Sequence, residues 1–352
     1  MDPLSLTTDW SLLDTTAVLG TLKWWDIAFF VPGLVLMGLG ISDRGKWNSL
    51  IKGGGMALFG MFWFTQIGVF LDPDHTDLIN GLMALLGGFF FLFIAFQFVL
   101  DHLWKERTKS IEWLLRTSFL TGGAYFVFEH IPITQGALIY IVAWPTYWIL
   151  KVFGHDVVIH DHFPTEVGSG ITITAAGGGD MAIRIVFACT AALAIFLFSS
   201  AVIAVKTNKK EWEGWARREL KRTMGSRNFW TRGKRNGIKN ILRMSDLRRK
   251  LVAIAIVVPL IFVSNLFRNV AVIAATFTGT LSFYDAHNIY AKILSLVMMV
   301  YLTWVLFELL PELQEDVMGL FDLTKRTKKG MMKDGRLDLK YIQRTRGEKD
   351  GS

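Results

Sequence analysis

Apolar residues run along this chain in long unbroken blocks, at about 24–41, 54–71, 79–100, 111–131, 189–205, 251–276 and 288–310. Most approach the ~20 residues that an α-helix needs to cross a bilayer core. An eighth block, GALIYIVAWPTYWILKVFG at 136–154, is as apolar but contains Pro145, whose missing N–H removes a helical hydrogen bond. Between it and the fifth block the pattern changes. HDVVIHDHF, GSGITITAAGGGD and MAIRIVFA are β-branched or alternating runs separated by Gly clusters, which predict a small hairpin or sheet. No internal repeat, low-complexity tract or second soluble domain interrupts this plan.

Composition agrees with the blocks. The residues are 52% hydrophobic, 13% aromatic and 19% charged, and mean hydropathy is +0.37, values that exclude an ordinary soluble globular chain. The first 23 residues carry Asp2, Asp9 and Asp14 without a basic start or compact apolar core, so no cleavable signal peptide is expected. The net charge of +8 would suggest nucleic acid only if its distribution were ignored. Segment 206–250 holds sixteen Lys/Arg against four Asp/Glu, and the tail after Pro311 holds ten Lys/Arg. Shorter basic loops carry Arg44, Lys46 and Lys52, and then Lys105, Arg107 and Lys109. The other connections are poor in basic residues: 72–77, 131–188 with Lys151 and Arg184, and 277–287 with none.

By the positive-inside rule the basic blocks face the cytoplasm and the others face out. A crossing at 136–154 would force 206–250 outside, so that segment is expected to lie along, or dip into, the outer leaflet. The fold expected is an all-α polytopic membrane protein of about seven transmembrane helices, one interfacial or re-entrant helix and a small extracytoplasmic β insert. Its parts are 1–131 (helices 1–4), 132–188 (interfacial helix and insert), 189–310 (helices 5–7 with the basic loop) and 311–352 (basic tail). The mixed run KEWEGWARRELKRTMGSRNFW reads as an interfacial amphipathic helix; anionic lipid contact accounts for it without nucleic acid.

The polar residues left in the apolar blocks concentrate at one rim. Cys189, the chain's single cysteine, rules out an intramolecular disulfide or a zinc knuckle by counting. It lies at the outer end of the fifth crossing, where a helix N-terminus would favour a thiolate. Arg268 comes 17 residues after Leu251, roughly 25 Å up a ~30 Å core at ~1.5 Å per residue. His287 opens the last crossing, and Asn265 shares a helix face with Arg268. A thiol, an imidazole and a permanent cation at one depth fit nucleophile, acid/base and oxyanion stabiliser. Each also has a plainer reading: a small buried hydrophobe, an interfacial histidine, a snorkelling arginine and a helix-packing amide.

Other constellations carry less. Arg184, beside Asp180 and five residues before Cys189, reads as an ion-pair partner or a substrate contact. Arg116 is a candidate partner for Glu129 or for a neighbouring helix. His155, His160 and His162, interleaved with Asp156 and Asp161, read as a solvated strand edge rather than a metal site, and no HExxH motif is present. No metal and no cofactor is expected.

ACT at Ala188–Thr190 after a short strand, NLFRN at Asn265–Asn269, His287 opening the final span and FELLPEL at Phe307–Leu313 resemble the exosortase/archaeosortase family, most closely its archaeosortase A branch. The resemblance covers about 130 residues of the C-terminal part. It implies a membrane cysteine protease/transpeptidase acting on a C-terminal tripartite signal: a Pro-Gly-Phe-like motif, a transmembrane helix and a basic cluster. Typical substrates are surface precursors such as S-layer glycoproteins, with a membrane lipid as a possible acceptor. Carried over, Cys189 is the nucleophile, Arg268 the transition-state stabiliser and His287 the acid/base, with Asn265 and Arg184 as substrate-binding candidates. Where the family often has glycine shortly after Cys-Thr, this chain has Ala191 and Ala192, and its 206–250 loop is longer than usual. Two readings from other classes stand beside this one. A small-molecule or lipid transporter would place its polar residues near the bilayer centre, often in repeated halves. A membrane acyltransferase would use similar Cys/His chemistry.

Overall fold

The computed structural model describes residues 22–42, 45–71, 77–160, 170–176, 182–207, 213–214, 217–218, 220–221, 245–333 and 336–337. The chain is mostly helical. A π turn at Asp26–Phe30 leads into α1 (Val31–Ile41), followed by α2 (Asn48–Phe70), α3 (Leu78–Trp104), α4 (Lys109–His130) and α5 (Pro132–Val152). Three strands come next: β1 (Val157–His160), β2 (Ile171–Ala175) and β3 (Ala182–Ile185). A 3₁₀ turn at Phe187–Thr190 precedes α6 (Ala192–Ala204) and α7 (Asp246–Phe277). A second π turn at Asp285–Tyr290 continues into α8 (Ala291–Leu309), and α9 spans Pro311–Met331.

Among the described residues five helices are long and apolar enough to cross a membrane: Asn48–Phe70, Leu78–Trp104, Pro132–Val152, Asp246–Phe277 and Asp285–Leu309. Three expected crossings depart from that description. The block at 24–41 yields only the short apolar helix Asp26–Ile41. That at 189–205 shortens to the 13 residues of α6, ~20 Å at ~1.5 Å per residue, because residues 187–190 go into the 3₁₀ turn. Helix α4 has the length but carries Lys109, Glu112, Arg116, Glu129 and His130. Conversely, Pro145 does not interrupt 136–154: α5 runs unbroken through it. Only the charge asymmetry then argues for the outer leaflet. Most of the KEWEGWARRELKRTMGSRNFW run lies outside the described residues.

The chain divides into two compact units. One gathers the described residues within 1–27, 121–196 and 259–300; the other gathers those within 28–120, 197–258 and 301–352. The first contains the sheet, an antiparallel meander in the order β1-β2-β3, as the alternating runs predicted. The register pairs Ile159 with Ile173, Ile173 with Ile183 and Ile171 with Ile185, so the apolar side chains share one face. That face is buried with Ile139, Val142, Ala143 and Leu150 of α5 and with Leu266, Val270 and Ile273 of α7. Each fully buried Ile or Leu contributes about 1.5–3 kcal/mol, which makes this cluster the anchor of the first unit. The other face of the sheet carries Val158, His160, Thr172, Thr174 and Arg184.

In the second unit, helices approach through glycine, as membrane helices do when backbones rather than side chains meet. A Cβ added at Gly55 would lie 2.8 Å from the Met37 nitrogen, and one at Gly60 would lie 3.1 Å from the Gly88 oxygen. Charges buried in this unit are paired. Arg249 grips Glu312 through Nη2 at 2.9 and 2.7 Å, Lys52 meets Glu112, and Arg326 meets Asp101 at 2.6 Å.

A candidate thiol site at the end of the third strand

Strand β3 delivers the chain to Cys189. After Ile185 the backbone stays extended at Val186 and then tightens into the 3₁₀ turn, where the Cys189 N–H donates to the Val186 oxygen at 2.8 Å. Thr190 locks the turn from within: its hydroxyl donates to the Phe187 oxygen at 2.7 Å and accepts from the Ala192 N–H at 3.3 Å. Phe187 is buried and packs on the Tyr125 ring, 5.4 Å between centroids. Ala191 then takes a left-handed conformation, φ +58°, before α6 begins. Cys189 is therefore near a helix N-terminus, as expected, without belonging to the helix. The thiol stands on a tight turn three residues before the helix, and its amide is already bonded.

Helix α7 holds that turn by the backbone. Asn265 and Asn269 are one turn apart on one face, and both donate Nδ2 to the Cys189 oxygen, at 2.7 and 3.1 Å. Both are buried. A carbonyl oxygen only accepts, so the amide nitrogens must face it. The Asn265 Oδ1 is thereby turned outward, and it accepts from Arg268 Nη1 at 3.3 Å. Arg268 is half-buried and its Nε meets no acceptor. Among the described residues no carboxylate pairs with it.

His287 comes to the same place from the second π turn. Ser282 secures the start of that turn, accepting from the Asp285 N–H at 3.1 Å and donating to Asp285 Oδ2 at 2.7 Å. The wider winding inserts a residue, a feature frequent at functional sites. The imidazole stacks on Phe283, with centroids 5.3 Å apart and planes 14° from parallel.

Cys189 and His287 both line one shallow cleft, part of it open to solvent. Its walls are Ile183, Arg184 and Ile185 of β3, Asn269, Val272 and Ile273 of α7, and Phe283. Arg184 is thus at the cleft and exposed, its stem resting over Gly170, where a Cβ would come within 2.5 Å of the Ile185 oxygen. Its expected partner Asp180 lies outside the described residues. Arg268 does not line the cleft; it reaches the site through Asn265. Asn269 and Phe283 were not singled out from the sequence, although each lies four residues from a residue that was.

The remaining candidates do not join the site. His160 Nε2 lies 3.0 Å from Thr174 Oγ1 across the sheet's exposed face, while Asp161 and His162 are outside the described residues. Arg116 lies 3.9 Å from Glu112 one turn back on its own helix, whereas Glu129 accepts from the Tyr125 hydroxyl at 3.4 Å.

A thiol on a turn fixed by two amides, an imidazole lining the same cleft and a guanidinium bonded to one of those amides are residue types that nucleophilic acyl transfer uses. No protein-family model matches the chain, and no curated protein and no solved structure matches it.

Proposed function

We propose that this chain is a membrane cysteine peptidase/transpeptidase of the exosortase/archaeosortase kind, acting at the extracytoplasmic face on the C-terminal sorting signal of membrane-anchored surface precursors. The reading is supported above all by the cleft that Cys189 and His287 share, with the Cys189 carbonyl gripped by Asn265 and Asn269 and Arg268 held beside them. In the reaction, the Cys189 Sγ attacks the scissile carbonyl carbon after His287 takes the thiol proton. Arg268, outside the cleft lining and bonded to Asn265, offsets through its charge the negative charge that develops on the carbonyl oxygen. Collapse breaks the C–N bond, and His287 returns the proton to the departing amine. The thioester left on Cys189 is then opened by water or by a nucleophilic group on a lipid, whose proton passes to His287 and back to the thiol. Asn265 and Asn269 act through the turn, as positioning residues.

Membranes containing the chain and a reporter ending in Pro-Gly-Phe, one span and a basic tail would test this. With hydroxylamine added, the released fragment should end in a hydroxamate, read by mass spectrometry, in the wild type and not in Cys189→Ala. Cleavage without hydroxamate would exclude the thioester, and cleavage by Cys189→Ala would exclude the nucleophile.

A further inference from the structure

We infer that the peptide to be cut binds as a fourth strand, pairing with the free edge of β3. This rests on the thiol-site reading for its chemistry and adds where and in what form the substrate lies. In the order β1-β2-β3, β3 is an edge, and among the described residues its backbone bonds only to β2. An open edge presents a row of N–H and C=O groups that an extended chain satisfies. Proteins blunt such edges with proline, charged side chains, short length or a bulge. The strand Ala182-Ile-Arg-Ile185 is short and carries the charge of Arg184, but it has no proline and pairs in unbroken register.

The cleft supplies the second observation. It is bordered by three consecutive residues of β3, Ile183 to Ile185, together with Cys189 and His287. The other edge, β1, contributes nothing to it. A strand laid along β3 therefore runs toward the thiol, which follows Ile185 by four residues. Val272, Ile273 and Phe283 give the cleft an apolar wall. Alternate residues of a strand point the same way, so a strand docked here turns one side chain toward this apolar wall. The occupant is thus an extended peptide with a small or apolar residue beside the scissile bond, held chiefly by its backbone.

Alkylation of Cys189 tests this without knowing the natural substrate. The probe is acetyl-Ala-Ala-Phe chloromethyl ketone: Sγ displaces chloride from the methylene carbon and forms a C–S bond. The comparison compounds are the same peptide with each amide nitrogen methylated in turn, and iodoacetamide. Methylation at the nitrogen that pairs with β3 should slow alkylation by about tenfold, since it removes a hydrogen bond and introduces a clash. Arg184→Pro should lower the ratio of the parent-peptide rate to that protein's own iodoacetamide rate by a similar factor. Equal rates for the parent and all methylated peptides would overturn strand pairing, and that series needs no variant. The two proposals fail separately. Methylation-sensitive labelling without precursor cleavage would keep the docking mode and remove the peptidase, whereas Cys189-dependent cleavage with methylation-insensitive labelling would do the reverse.

Discussion

The two units treat a buried cation differently. In the second, Arg249 is buried against Glu312, Lys52 against Glu112, and Arg326 reaches Asp101 while lying 5.0 Å over the Trp104 ring. In the first, Arg268 is half-buried with no carboxylate among the described residues, only the Asn265 oxygen. A paired charge is explained by its partner. A guanidinium left without one costs desolvation free energy that folding does not return, and on the proposed function it stands where charge develops during the reaction. The contrast separates scaffold from site.

Substitutions can break that contrast in either direction. The largest expected effect is on Arg268: Arg268→Met should cut precursor processing by about 10²-fold through loss of its charge, with no loss of folding stability. A destabilised Arg268→Met protein with full turnover per folded molecule would make Arg268 a scaffold residue. Next is Glu312→Gln, which should destabilise the protein by about 3 kcal/mol by uncovering Arg249, read as a lower melting temperature in detergent. Turnover per folded molecule should not change.

A smaller effect follows from Asp316 on α9. Burial, opposed by Lys109 and Arg116 and reinforced by Glu315 and Glu312, pushes its carboxyl up to about 6. A carboxyl raised above its unfolded value of ~3.9 binds its proton more tightly when folded, so the stability it gives is present below pH ~4 and is lost as pH rises through about 6. Asp316→Asn should flatten the stability profile in that window and add about 1 kcal/mol at pH 7, after allowance for solvent screening. An unchanged profile would reject the assignment. The smallest effect belongs to the nucleophile turn. Ala191→Gly relieves a left-handed alanine (φ +58°) at some cost in unfolded-chain entropy, for a net gain of about 0.5–1 kcal/mol. A loss of stability would mean that this conformation is not the one populated.

Much of the first unit was legible because its signals are local. Alternation in ITIT and AIRI fixed the sheet, and the Gly clusters marked its turns. The apolar blocks located helices but not their ends, since the apolar run from Ile185 to Val205 contains a strand end, a 3₁₀ turn and a helix of one composition. Pro145 was read as an interruption, yet α5 is held by the cluster it forms with the sheet, a tertiary term that outweighs one missing hydrogen bond. Cys189, Arg268 and His287 stood out as polar residues in apolar surroundings. Asn269 did not, because its meaning depends on a carbonyl 80 positions away.

The most direct test of the central claim is cleavage of the tripartite-signal reporter by matched amounts of folded wild type, Cys189→Ala and Asn269→Leu, scored as release of the reporter from its terminal helix. The account predicts full release by the wild type, none by Cys189→Ala, and a lowered kcat for Asn269→Leu, because the turn loses one of its two clamps. Release by Cys189→Ala at the wild-type rate would contradict it, leaving the thiol as a packing residue on a well-made turn.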